Sequence, residues 1–217
     1  MLRLLRDEVE VVLTPSHVAL AGAPPWSGAL AALEQEFDGL AGRRITLQVI
    51  LSNRFVRYAV VPWQTGLHGP AEEQAYVRHY FVQTYGSAAD SWDLCVSPAP
   101  DGQPRLASAI DSDLLDALRG LCSAKRIHLA AVLPQLASTF NRHREILRAG
   151  CGWLVLAEAN SVCIALFDSG RWLSVGTART ASWQQDLPSL LEREVLLANP
   201  AGAADQVFWW SADGGGE

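Results

Sequence analysis

The stretch GWLVLAEANSVCIALFDSGRWLSVGTAR, residues 152–179, decides the fold. Two apolar runs are broken at Ala159-Asn160-Ser161, and a third follows the turn at Asp168-Ser169-Gly170. Along SVCIALF (161–167) both residue parities are apolar, the pattern of an interior strand covered on both faces. Asp-Ser-Gly suits a hairpin turn because these residues tolerate its backbone angles. The stretch therefore reads as three successive strands. After it, DLPSLLEREVLLAN (186–199) reads as a helix with Pro188 near its first turn and Leu187, Leu190, Leu191 and Val195 facing inward. QVFWWSA (206–212) closes with a strand in which Trp209 and Trp210 point to opposite faces.

Upstream, VEVVLTP (9–15) and HVALAGA (17–23) read as short strands joined by a turn around Pro15-Ser16. A helix then carries Leu30, Leu33, Phe37 and Leu40 on one stripe, with Ser27 as its N-cap. ITLQVILS (45–52) and FVRYAVVPW (55–63) read as a strand pair joined across Asn53-Arg54. Pro70 opens a helix that runs to Gly86, with Glu72 and Glu73 in its first turn, where the helix dipole favours acids. A hairpin follows, WDLCVSP (92–98) and PRLASAI (104–110), turning through Asp101-Gly102. Asp111 caps the next helix, which carries Leu114, Leu115, Leu118, Leu121 and Cys122 at three- and four-residue spacings. IHLAAVLP (127–134) is a strand, and a helix with Leu136, Phe140, His143 and Leu147 on one stripe follows it.

Composition narrows the function. With 217 residues and 49% hydrophobic content, the chain can bury one large core or two small ones. Lysine and arginine number 17 against 23 acids, a net charge of -6, whereas a protein that tracks nucleic-acid phosphates carries a basic excess. The short basic run Arg142-His143-Arg144 reads as a solvated helix face. Cys95, Cys122, Cys151 and Cys163 show no CxxC spacing, and two lie inside apolar runs, so they read as reduced core thiols of a cytosolic protein. The N-terminal MLRLLRDEVEVV places acids where a signal peptide needs its apolar core. No apolar run approaches the roughly 20 residues that span a bilayer. The ending Gly214-Gly215-Gly216-Glu217 reads as a linker or a cut end.

The order from 152 onward is strand, strand, strand, helix, strand, and a similar order with an inserted segment runs through the first half. The implied class is α/β, mixed sheets flanked by helices. This plan, present twice, resembles the actin-like (ribonuclease H-like) fold. LSNRFVRYAVVPW (51–63), followed by a helix carrying Glu72-Glu73-Gln74, is similar to PilM-type cytoplasmic proteins of type IV pilus assembly and to the cytoplasmic domain of GspL-type proteins of type II secretion. WLVLAEANSVCIALFDSGRW (153–172) resembles their second-lobe hairpin, a strand ending F-D-x-G. The resemblance implies two lobes: residues 1–150 as the first lobe with an inserted subdomain, and 151–217 as the second, with a tail at 213–217.

In nucleotide-binding members of that superfamily, the turn after each lobe's first strand resembles Asp-x-Gly followed by small hydroxyl residues. The glycine lets backbone N–H groups approach phosphate, and the aspartate positions metal and water. Laid on that pattern, this chain has Leu156 at the aspartate and Glu158 at the glycine. Only Asn160 and Ser161 keep hydrogen-bonding side chains there. The first-lobe turn reads Leu13-Thr14-Pro15-Ser16, without acid or glycine, and Pro15 lacks an N–H. A leucine holds no magnesium, and a glutamate repels a triphosphate.

The expectation is therefore a non-enzymatic scaffold or adaptor, a pseudo-ATPase with no cofactor, no metal and no catalytic residues. The resemblance implies a place in a pilus or type II secretion platform. There the protein would lie in the cytoplasm, peripheral to the inner membrane, reaching it only through a membrane-protein tail or the assembly ATPase. A groove or an exposed sheet edge would bind that partner; oligomeric state stays open. The alternative is an active actin-like ATPase or small-molecule kinase, whose nucleotide would rest on Thr14, Ser16, Asn160 and Ser161. His17, His68, His79, His128 and His143 are scattered and read as hydrogen-bonded histidines, partly buried at 79 and 143, not as metal ligands. Asp111 and Asp113 read as helix caps, not a catalytic carboxylate pair.

Overall fold

In the computed structural model, residues 2–5, 8–15, 22–39, 45–147, 150–198, 204 and 206–211 are described. They form two compact units: residues 1–56 with 110–138, and residues 57–109 with 139–217.

The first unit is built on a four-stranded sheet. Its strands are β1 (Leu2–Leu5), β2 (Glu8–Leu13), β3 (Thr46–Leu51) and, after the intervening elements β4 to β6, β7 (His128–Pro134), in the order β1-β2-β3-β7. β1 runs antiparallel to β2, whereas β2, β3 and β7 are mutually parallel neighbours. β1 has no counterpart in the sequence reading, and four residues are too short to show a period. The strand read at 17–23 falls mostly outside the described residues. Leu47, Val49 and Leu51 of β3 are fully buried.

Helix α1 (Ser27–Asp38) buries Ala29, Leu33 and Phe37, while Leu40 lies outside the described residues. Ser27 does not cap it. The N-cap is Trp26, without a side-chain cap bond, and the Ser27 hydroxyl instead donates to the Pro24 carbonyl at 2.8 Å. Helix α3 (Ser112–Ala124) begins as its sequence predicts: the Asp111 carboxylate accepts from the Asp113 N–H at 3.0 Å, satisfying one of the helix's orphan donors. Trp26 Nε1 donates to the same carboxylate at 3.4 Å.

Residues 45–52 and 55–63 are not a strand pair. β3 ends in the first sheet, whereas β4 (Val56–Val61) belongs to a three-stranded sheet ordered β4-β6-β5, with β5 at Trp92–Val96 and β6 at Arg105–Asp111. A two-residue hairpin needs positive φ in its turn, and none of residues 52–55 has it. Instead Asn53–Phe55 form a 3₁₀ turn in which Ser52 Oγ accepts from the Arg54 N–H at 3.2 Å. Asn53, 3% exposed, uses its Oδ1 to accept from the Leu136 N–H at 3.2 Å. The segment is a crossing between sheets, held by a contact 83 residues away in sequence.

Residues 57–109 pack helix α2 (Pro70–Tyr85) on the three-stranded sheet. α2 starts at Pro70, carries Glu72 and Glu73 in its first turn, and ends at Gly86, whose φ of 72° favours glycine. Val77 and Phe81 sit in a cluster with Ala59, Val61, Ala107 and Ala109. The Arg78 guanidinium donates to the Ala89, Asp90 and Trp92 carbonyls, fixing the 3₁₀ segment Gly86–Ser91 beneath α2. β5 and β6 form the predicted hairpin, and Gly102 in its loop has φ 81°.

The last sheet is ordered β10-β9-β8-β11, from β8 (Cys151–Glu158), β9 (Ser161–Asp168), β10 (Arg171–Arg179) and β11 (Gln206–Ser211). β8, β9 and β10 are antiparallel, and β11 joins β8 in parallel. The Asp168–Arg171 turn has positive φ at both Ser169 (52°) and Gly170 (78°), the type I′ geometry that matches strand twist. Seven consecutive residues of β9, Ser161 to Phe167, are buried, so the two-sided apolar run means what it predicts. One face packs Trp153, Val155, Ile164 and Leu166 under Leu187, Leu190 and Leu191 of helix α6 (Trp183–Ala198). On the other, Phe167 faces Phe208 at 6.2 Å.

Two helical readings are corrected here. The stripe 136–147 breaks at His143 into α4 (Gln135–Arg142) and α5 (Arg144–Leu147). α6 starts at Trp183, so Pro188 lies inside the helix and has no N–H to give to the carbonyl four residues back. Val195 is 39% exposed; the residue turned inward is Glu194, 4% exposed.

Candidate functional site

Two places can carry function: the turns that the sequence resemblance lays on phosphate loops, and a groove within residues 57–109.

The turn read from the sequence as the second lobe's is built by the β8–β9 hairpin. Glu158 pairs with Ser161 across the ladder, leaving Ala159-Asn160 as the turn, with Asn160 at φ 58°. Leu156 is fully buried inside β8, opposite Cys163 and beside Trp210 of β11. Its apolar side chain is core, and no carboxylate occupies that place. Glu158 and Ser161 are each 8% exposed, so the carboxylate at the glycine position is packed at the strand end. Asn160 is exposed. In the first unit Thr14 is exposed and Pro15 half-buried; Ser16 lies outside the described residues. Thus Asn160 and Ser161 are neighbours at one hairpin, and Thr14 directly follows β2 of the other unit.

The groove lies within residues 57–109, with a volume of about 350 Å³. The segment after β4, the first two turns of α2 and the β5–β6 loop supply its walls. Trp63, Leu67 and Tyr76 give apolar area, and Glu73, Asp101 and Arg105 give charge. Arg105 organises the site. Its guanidinium pairs with Glu73, reaches Asp101 at 3.9 Å and lies over the Trp63 ring, 5.2 Å from the centroid. Its Nε is buried without a partner. The first turn of α2 is held by Glu72, which accepts from the His68 N–H at 2.7 Å. The sequence reading did not find this groove, because its residues come from three separate segments. The Trp63 excess beside a proline was its one local signal.

His17 lies outside the described residues, and no group of three or more possible metal ligands among the described residues includes the other histidines. His79 is exposed, not partly buried, and lies 2.8 Å from Gln83 on the same helix. His143 is half-buried and stacks on Trp210 at 4.5 Å. Trp209 packs on Trp183 at 5.6 Å, so the paired tryptophans serve opposite faces of β11. Among the described residues no group of three or more His, Cys, Asp or Glu side chains is placed to hold a metal. Cys163 is fully buried, and that burial, followed by the charges of Glu158 and Glu194, pushes its thiol pKa up. It is a core thiol, not a nucleophile.

No family model matches the chain, and no curated protein matches it. Solved structures do. A PilM–PilN type IV pilus biogenesis complex aligns with a TM-score of 0.59 at 12% identity, covering 92% of this chain and 72% of that one. The cytoplasmic domain of EpsL, an inner-membrane component of the type II secretion system of Vibrio cholerae, aligns at 0.56 and 14% identity, covering 94% and 81%. A Bacteroides thetaiotaomicron protein of unknown function with an actin-like ATPase fold aligns at 0.58 and 11% identity, covering 86% and 69%. At such identities the likeness speaks for architecture, and it agrees with the resemblance in the sequence: the chain has the actin-like ATPase fold.

Proposed function

We propose that the protein is a non-enzymatic adaptor of a type IV pilus or type II secretion inner-membrane platform. It works from the cytoplasmic side, reaching the membrane through a partner, either a membrane-protein tail or the assembly ATPase. The observation that carries this reading is the second-lobe turn. The strand plan is kept, yet Leu156 is buried in the core and Glu158 is packed where a phosphate-facing glycine belongs. An added carboxylate beside a triphosphate costs binding, and the leucine offers no ligand to a metal. The fold's likeness to a PilM and an EpsL domain supports the choice of system. The groove around Trp63 and Arg105 offers apolar area with a few oriented polar groups, the make-up of a ligand pocket. Among the described residues no helix is long and apolar enough to cross a membrane, in keeping with an indirect membrane link.

Two measurements test this. Calorimetry with Mg-ATP is expected to give no binding; a submillimolar affinity would favour the alternative, an active ATPase or kinase holding nucleotide on Thr14, Ser16, Asn160 and Ser161. Co-purification with the products of neighbouring pilus or secretion genes is expected to retain one of them, and failure with all would overturn the platform assignment.

A further inference from the structure

The groove within residues 57–109 is lined by two carboxylates, Glu73 and Asp101, and one guanidinium, Arg105, a net charge of -1. The three are not equivalent. Arg105 is already engaged inside the groove, on the Glu73 carboxylate and over the Trp63 ring. Its Nε is buried, so that N–H is not offered to anything that enters. Asp101 stands apart. Its side chain is 88% exposed, and Arg105 lies 3.9 Å from it, beyond hydrogen-bond distance. An entering carboxylate would meet Asp101 and would have to take Arg105 away from Glu73. An entering cation meets an exposed carboxylate and breaks nothing.

The walls favour one kind of cation. Glu73, Arg105 and Trp63 form a set of carboxylate, guanidinium and ring. Asp101 and Tyr76 give the same groove a second carboxylate and a second ring, and among the described residues no cation lies at bonding distance from either. A planar guanidinium meets a carboxylate with two parallel N–H groups and lies flat on an aromatic face; an ammonium is only a point charge. Shape then separates a free molecule from a side chain. A small ligand is held by burying most of its surface. Here Pro62, Gln64, Gly69 and Pro70 are exposed as well as Asp101, which leaves a small ligand partly in water. An arginine side chain needs no such enclosure, since its stem packs on apolar surface while its charged head stays wet.

We infer that this groove docks a basic segment of a partner protein, taking one arginine side chain along Trp63 and Tyr76 with its guanidinium on Asp101. The chemistry stands on the groove alone, and only the source of the segment rests on the adaptor reading. Cytoplasmic segments of membrane proteins carry an excess of Lys and Arg, so a membrane-protein tail brings the charge that complements the groove.

The probe is the peptide acetyl-Gly-Leu-Arg-Leu-Gly-amide, beside the same peptide with citrulline for arginine, which keeps the shape and removes the charge. Binding to the full chain is read from its backbone and indole NMR signals. The arginine peptide is expected to shift the signals of the Trp63 indole and of Asp101 and Gly102, and to bind about tenfold or more tighter than the citrulline peptide. Asp101→Asn is expected to remove that advantage and to leave the signals outside the groove in place, since the side chain is exposed. Asp116→Asn, the same loss of charge at an exposed site on α3, is expected to leave binding unchanged. No shift within residues 57–109 at millimolar peptide would overturn the inference, and so would equal affinity for the two peptides. Ethylguanidinium binding as tightly as the arginine peptide would make the groove a site for a free cation and would overturn the docking. None of these outcomes involves a pilus or secretion protein or a nucleotide. A failure here therefore leaves the adaptor reading standing, and binding of Mg-ATP would overturn that reading without moving these results.

Discussion

The β8–β9–β10 sheet and the β4–β6–β5 sheet carry their burial in different scripts. In the first, β8 and β9 are buried at nearly every position, because α6 covers one face and Phe140 and His143 pack against Trp172 and Trp210 on the other. In the second, the edge strand β5 has no buried residue, while β4 and β6 bury residues of both parities and α2 packs against them. A two-faced sheet writes a continuous apolar run, which is hard to mistake. A half-buried edge strand such as β5 writes no such run, and local chemistry must supply the rest. The difference predicts where the molecule tolerates change.

The largest contrast is expected in thiol reactivity. Cys163 of β9 is fully buried with a raised pKa, and Cys95 of β5 is exposed. A disulfide reagent at pH 8 is expected to label Cys95 at once. Cys163 reacts only through opening of the sheet, slower by about three orders of magnitude or more, since a folded domain opens against several kcal/mol. Comparable rates, read by mass spectrometry, would break the comparison. The pH dependence has a fixed sign. Burial raises the thiol's pKa above its ordinary value of 9.0, so its contribution to stability is complete below pH 9 and falls as pH rises further.

Next in size is truncation of the core. Leu166, fully buried between its ladder partners and α6, is expected to lose about 2–5 kcal/mol on change to Ala, because a two-sided site collapses poorly. Leu94→Ala, at a half-buried position, is expected to cost about 1 kcal/mol. Urea unfolding of both variants measures the gap; equal losses would show that coverage, not position in the sheet, is wrongly assigned.

The same physics explains what could be read beforehand. The second-lobe strands, the type I′ turn at Ser169-Gly170, the start of α2 at Pro70 and the Asp111 cap all rest on neighbours within four residues, so the sequence carries them. The crossing at Ser52–Phe55 does not. Its Asn53 is fixed by the Leu136 N–H, and that bond decides that β3 and β4 part company. Leu156 and Glu158 lie on β8 itself, two residues and none from its end, and the turn is Ala159-Asn160, whereas the Trp63–Arg105–Glu73 groove joins residues up to 42 apart and left only Trp63 beside a proline as a local signal. Glu194 was missed for a related reason. A buried charge is stable only with partners, and its partner Ser174 lies 20 residues upstream.

That buried carboxylate yields the smallest and most discriminating prediction. Gly176 of β10 sits beside Glu194, and a Cβ there would lie 2.8 Å from Oε1. Elsewhere in a strand, Gly→Ala gains about 0.5–1 kcal/mol by restricting the unfolded chain. At Gly176 the carboxylate must shift, and it is held by Ser174 Oγ and, at 3.0 Å, by Arg193. Gly176→Ala is therefore expected to destabilise by about 1 kcal/mol, the disturbed hydrogen bonds outweighing the entropic gain. In a Glu194→Ala background the obstacle is gone, and the same substitution is expected to turn neutral or stabilising. A double-mutant cycle reads the coupling directly. Additive effects would mean that Glu194 moves aside freely, and that the two-faced sheet is less tightly closed beneath α6 than its burial implies.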